Sequence, residues 1–301
     1  MRQVLRVVLF WLAVSSIAFA ADRRFIKIDF PGANETIASG INARGDISGR
    51  YDDANGVVHG FLLRKGVFTT IDVPGASFTS ARAINARGDI AGRMQDAAGV
   101  DHAFLLHDGQ FTQIDVPGAL STIGRGINNA GDVTGNYIDS SGTEVGFVLQ
   151  GDKFRRFLVD PCSSDVWSAM DNGRVLVGDN CANSDGALYG FLRDRQGKFH
   201  TITFPSGGSF PCTGPRWINE RDEIVGLYAV ANNSDECYGA EVLHGFLLRH
   251  GKYIAFDVPG ALSSNPLAMN DDGVIVGAYT DKNGVTHGFK AVPKDMEEKE
   301  R

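Results

Sequence analysis

Apolar positions in this chain come in short runs of about five residues, each bounded by turn residues. No stretch after residue 20 sustains the 3.6-residue period of an amphipathic helix. The pattern predicts strands, and it repeats. The cleanest copy runs from Phe68 to Gly109, FTTIDVPGASFTSARAINARGDIAGRMQDAAGVDHAFLLHDG. Its four strand-like segments are one ending in Ala81 to Asn85, then Asp89 to Met94, His102 to Leu106, and Phe111 to Asp115, the last opening the next copy. Asn85-Ala86-Arg87-Gly88 places Asn and Gly where a type I turn with a following bulge wants them, and Asp96-Ala97-Ala98-Gly99 repeats that chemistry. The fourth segment ends in Val-Pro-Gly, which suits a type II turn. Copies begin at Phe25, Phe68, Phe111, Phe154, Phe199 and Tyr253, at intervals of 43, 43, 43, 45 and 54 residues.

Four consecutively paired strands per copy, six copies and no room for crossover helices predict an all-β fold, a six-bladed β-propeller of four-stranded blades. A solenoid or a string of separate domains fits less well, because a single blade cannot bury both its faces alone. The chain ends decide the matter. The last copy supplies only three strands after Pro266, whereas Phe25 to Phe30 is a fourth strand with no blade before it. Pairing the N-terminal strand with Gly288 to Lys290 closes the ring and removes an open sheet edge.

The run I-D-V-P-G-A, then G-I-N-x-x-G-D-I-x-G, then H-G-F-L or H-A-F-L resembles the bacterial extracellular repeat family named after its His-Ala-Phe tripeptide, the HAF repeats. The resemblance spans Phe25 to Phe289, fading at Leu158-Val159-Asp160-Pro161 and Tyr189-Gly190-Phe191 of the fourth copy. It implies an exported repeat protein and supplies no catalytic residues.

Residues 1 to 20 carry Arg2 and Arg6, an apolar run from Val7 and the ending Ala18-Phe19-Ala20, which reads as a cleavable secretory signal peptide. The run is too short for the roughly 20 residues of a membrane span, so the expectation is a secreted or periplasmic protein with no membrane insertion after cleavage. The propeller then occupies 21–293, followed by a solvated, frayed tail, Lys294 to Arg301. Two of the 29 basic residues lie in the leader, leaving 27 against 36 acidic residues, a net −9. That balance excludes nucleic acid as a natural partner, and a closed ring is expected to be monomeric.

The four cysteines, Cys162, Cys181, Cys212 and Cys237, all fall in the fourth and fifth copies. Cys162 and Cys212 lie in loops leading into a blade, and Cys181 and Cys237 in loops between second and third strands. Those loops share one face, so the topology favours Cys162 with Cys181 and Cys212 with Cys237 among three pairings, and export makes bridges the expected state. No metal or other cofactor is expected. His59, His102, His244 and His287 sit on third strands, too far apart across blades to share an ion, and each is expected to face its own hairpin. The D-x-x-G turns at Asp53, Asp96, Asp139 and Asp281 lack the dense oxygen ligands of a calcium loop.

Residues common to every copy are explained by building blades, so function is expected where copies differ. One difference is the pair of loops Asn180 to Gly186 and Val230 to Val242. The other is a position two residues before the Ile of I-N, which carries Arg82, Arg125 and Arg216, with Trp167 and Trp217 beside it. Arginine donors and a Trp stacking face near the channel mouth would form an anion or carbohydrate subsite. The competing reading is that these side chains wedge between blades. A secreted binding or interaction scaffold for an extracellular glycan or protein is therefore the first functional expectation. A hydrolase or lyase acting on a polysaccharide or ester at the channel mouth is the second, and a structural envelope component the third.

Overall fold

The computed structural model describes residues 22–158, 165–170, 173–182, 187–232 and 242–297. Its strands form six four-stranded antiparallel sheets, the six blades of a β-propeller. Blade one consists of Glu35–Ile41, Ile47–Asp52, Val58–Arg64 and Val67–Ile71, and blade two of Phe78–Ile84, Ile90–Gln95, Asp101–His107 and Gln110–Ile114. The first strand of each blade is the innermost and touches the first strands of both neighbours, and those of blades six and one meet to close the ring.

The sixth blade is completed by the other end of the chain. Arg23–Ile28 runs antiparallel to Thr286–Pro293, with Phe25 opposite Ala291 and Ile28 opposite Gly288. Arg23 donates to the Gly273 carbonyl at 2.6 Å. Phe25 and Phe289 lie 6.1 Å apart, and His287 Nδ1 lies 2.8 Å from Asp29. The tail begins as one helical turn, Lys294–Glu297, rather than a frayed end, and the Lys294 amide donates to the Asp22 carbonyl at 3.0 Å.

Within a blade, the glycine of G-D-I-x-G and the Phe of H-A-F explain one another. In blade two Gly92 lies opposite Phe104, which is fully buried. A Cβ on Gly92 would lie 2.1 Å from the Ser80 carbonyl oxygen and 2.7 Å from the Phe104 ring, so only glycine lets the ring lie flat across the sheet. The repeat-opening Phe111 packs edge-on against it at 5.7 Å, the geometry aromatic pairs prefer. The same edge-on pair recurs at Phe61 with Phe68, Phe147 with Phe154 and Phe191 with Phe199.

The I-N turns have the expected chemistry, with Gly88 at φ 99° and its substitute Asp222 at φ 59°, the left-handed region that Gly, Asn and Asp tolerate. They also do something the spacing did not reveal. The buried Asn85 accepts from the Arg87 and Asp89 amides through Oδ1 and donates through Nδ2 to the Asn128 carbonyl of the next blade at 3.2 Å. Asn42 bonds to Asn85, Asn219 to Asn270, and Asn270 to Asn42 in the same way. This asparagine relay stitches neighbouring blades at one mouth of the channel, across the junction of the chain ends included. The matching turn of blade four, 171–172, lies outside the described residues.

Candidate functional site

Each inner strand runs from a Val-Pro-Gly loop to an I-N turn, and each is interrupted once. Pairing with the second strand skips one residue between Ala38 and Gly40, Ala81 and Ala83, Gly124 and Gly126, Val166 and Ser168, Pro215 and Trp217, and Pro266 and Ala268. The skipped residue is a β-bulge, left out of the ladder and turned aside. The six bulge residues are Ser39, Arg82, Arg125, Trp167, Arg216 and Leu267, and all six line a single cavity of about 290 Å³ on the axis. It lies towards the strand starts, hence on the face of the Val-Pro-Gly loops and the loops between second and third strands.

The structure corrects the placement of one of the two tryptophans. Trp167 is not beside the arginine position but on it, because blade four pairs Ala169 with Leu176 where blade two pairs Ile84 with Ile90. Trp217 does follow the bulge residue of blade five. It lines both this cavity and a shallower one ringed by the I-N turns, so it forms the floor between the two mouths. The role of Trp167 also changes. The guanidiniums of Arg125 and Arg216 lie 4.2 and 4.1 Å from its ring centroid, so it is a platform for two arginines, held by cation–π attraction, rather than a stacking face for a sugar.

Those arginines are fixed from behind by carboxylates. Arg125 donates to Asp165 at 3.0 Å and to Asn136 Oδ1 at 2.9 Å, and Arg216 donates to Asp179. Asp165 and Asp179 belong to blade four, so both arginines staple neighbouring blades while also lining the cavity. Asn136 in turn donates to Glu144. Burial, followed by the nearby Asp165, pushes the Glu144 carboxyl up to about 7. Burial also raises that of Asp179 against the pull of Arg216.

A carboxyl whose folded-state pKa is raised favours folding while it is neutral. That contribution is complete below its ordinary value of 4.5 and is lost as pH rises through about 7. Glu144→Gln, neutral throughout, is therefore expected to match the wild type near pH 4.5. At pH 8 it should be more stable by about 1 kcal/mol once solvent screening is allowed for. Urea midpoints of the two proteins across pH 4.5 to 8.5 measure this; parallel profiles would place the proton elsewhere.

The third-strand histidines do face their own hairpins. His59 Nδ1 lies 2.9 Å from Asp72, and His102 Nδ1 lies 2.7 Å from Asp115. Their Nε2 atoms lie 3.8 and 3.6 Å from the turn acids Asp53 and Asp96. Asp53 also accepts from the amides of Asn55 and Val57, both at 2.8 Å. These Asp-His-Asp contacts tie each turn to the strand leading into the Val-Pro-Gly loop. Among the described residues no group of three or more His, Cys, Asp or Glu is placed to hold a metal ion. Cys162, Cys237 and residues 183–186 and 233–241 of the two loops lie outside the described residues. Cys212 is buried beside Leu188 of blade four.

No protein-family profile matches the sequence, and no curated protein does. Solved structures match the fold. The fucose-specific lectin from Aleuria aurantia is 13% identical with a TM-score of 0.53, over 86% of this chain and 93% of the lectin. A mutant of that lectin in complex with Fucα1-6GlcNAc has a TM-score of 0.51 at 13% identity, over 86% of this chain and 96% of its own. Trypanosoma rangeli sialidase in complex with the inhibitor DANA has a TM-score of 0.53 at 10% identity, over 91% of this chain and 60% of the sialidase. At these identities the likeness is one of fold.

Proposed function

We propose that this protein is an exported carbohydrate-binding propeller whose ligand occupies the cavity at the Val-Pro-Gly mouth. The observation that carries the reading is the convergence of all six bulge residues on that cavity. They also differ from blade to blade, whereas five of the six copies carry the same turn asparagine, Asn42, Asn85, Asn128, Asn219 and Asn270, at the other mouth. Rigid sheets presenting a few convergent polar groups around a concave site make a small-molecule site. Guanidiniums already held by carboxylates lose little freedom when they donate to a ligand. The neighbouring fold of a fucose-specific lectin is consistent with a glycan.

A hydrolytic reading is weaker. Of the carboxylates around the cavity, Asp52, Asp101, Glu144, Asp165 and Asp179, none lines it; they stand behind the arginines. The test is a panel of acidic and neutral glycans offered to the wild type, Arg125→Ala, Arg216→Ala and the double variant, with a glycosidase and esterase panel alongside. The proposal requires glycan retention that falls at least tenfold in the double variant without turnover. Unchanged retention in that variant moves the site off the cavity, and turnover replaces the binding role with an enzymatic one.

We propose in addition that Cys162 bridges to Cys181 and Cys212 to Cys237, each loop of roughly 20 to 25 residues contributing about 3 kcal/mol on a chain-entropy account. Non-reducing peptide mapping of the exported protein is expected to recover those two linked pairs. A Cys162–Cys212 peptide or free thiols would refute them.

A further inference from the structure

Among the described residues, the cations around the mouth cavity are matched one by one, with a single exception. Arg50 pairs with Asp52 at 3.2 Å, Arg93 with Asp101 at 2.5 Å, Arg125 with Asp165 at 3.0 Å, and Arg216 with Asp179. Arg82 lies among them and makes no ion pair or hydrogen bond with any described residue. The residue lines the cavity with part of its surface open, yet its Nε is closed off from solvent and has no partner. Burial, then the charges of Arg125, Arg93 and Arg50, pulls its guanidinium well below the ordinary arginine range. A cation held in that setting carries an uncompensated desolvation cost, which structures normally offset with an anion.

A second donor is in the same condition. The Trp167 indole N–H, on the bulge two blades away, is closed off from solvent and without a partner. Asn265 Oδ1, also of a cavity-lining residue, is likewise closed off and unsatisfied, so neither of these atoms is within reach of a ligand in the cavity. Arg82 thus brings to the cavity wall a guanidinium that no described carboxylate pairs with, and part of that residue is open to a ligand there. A guanidinium binds a carboxylate through two parallel N–H donors, and charge-assisted bonds of this kind are about twice as strong as neutral ones. A dianion such as a phosphate monoester would over-neutralise the single surplus charge and bring its second charge towards Asp165 and Asp179. A volume of about 290 Å³ is at the lower end for ligand sites and suits a single sugar unit.

We propose that the cavity selects a singly charged sugar carboxylate, a uronic-acid type of residue. Arg82 holds its carboxylate. This rests on the carbohydrate-binding reading above and narrows it to one chemical class.

The experiment is isothermal titration of the whole exported protein with glucuronic acid, glucose and glucose 1-phosphate, and with galacturonic acid and galactose. It is run on the wild type, Arg82→Gln and Arg82→Lys. The expected result is a preference of at least tenfold for an acid over its neutral partner and over the phosphate. In Arg82→Gln that preference falls to within twofold, and Arg82→Lys keeps part of it. Because Arg82→Gln removes an unpaired buried charge, its melting temperature should equal or exceed that of the wild type. A drop of several degrees would mean that Arg82 has a structural partner and overturns the assignment. Neutral and acidic sugars bound equally well, a preference that survives Arg82→Gln, or tighter binding of the phosphate would each overturn this inference and leave the carbohydrate reading standing. Binding of no sugar in either class would overturn both.

Discussion

Deleting Arg23–Asp29 is expected to cost most of the stability of the propeller, whereas cutting the chain after Lys294 should change it by less than about 0.5 kcal/mol. The N-terminal strand pairs six residues with the end of the chain, and each net backbone hydrogen bond is worth about 1 kcal/mol. It also buries Ile28 and Arg23 and sets Phe25 against Phe289. Without it the outer edge of blade six is unpaired, and the seam retains the packing of Glu35–Ile41 against the other three strands of blade six and the Asn270 to Asn42 bond at 3.3 Å. A domain of this kind has about 5–15 kcal/mol in total, so the deletion should lower the urea midpoint drastically or remove the cooperative transition. A midpoint unchanged by the deletion would show that the ring does not depend on this seam.

Replacing Phe104 with Ala should destabilise the protein by about 3–5 kcal/mol, the range for removing a fully buried aromatic side chain. The ring is completely enclosed, spans the blade across Gly92 and supports Phe111 at 5.7 Å. No neighbouring side chain can collapse into the gap without breaking the Gly92 contact, which places the cost at the upper end. Phe104→Leu, which refills part of the volume, should recover about half. Equal midpoints for the Ala variant and the wild type would contradict the blade packing described here.

Much of this molecule was readable from its residues. Turn chemistry acts over four neighbouring positions, so Asn42, Asn85 and Asn128 with Gly45, Gly88 and Gly131 announced hairpins whatever the rest of the chain did. The mismatch between an orphan strand at Phe25 and a three-stranded last copy announced the seam. The aligned Arg82, Arg125 and Arg216 marked a position worth following. Trp167 escaped that alignment because blade four has lost the I-N turn that set the frame, and counting from Met170 misplaces the bulge by one residue. The sequence could not show the bulge itself, since nothing local distinguishes a residue dropped from the ladder from one kept in it.

What the sequence determined by itself is the blade, since turns, the glycine opposite each Phe and the order of strands are properties of residues close together in the chain or repeated at a constant interval. Only the tertiary structure decided the site. A bulge at one register in six strands turns six side chains inward, and closure brings Arg82, Arg125, Trp167 and Arg216 to one axis although 134 positions separate the first from the last. Which arginine then lacks a carboxylate depends on acids supplied by neighbouring blades, Asp165 and Asp179 above all. Pairing of that sort is a matter of distance and burial, and neither exists until the ring has closed.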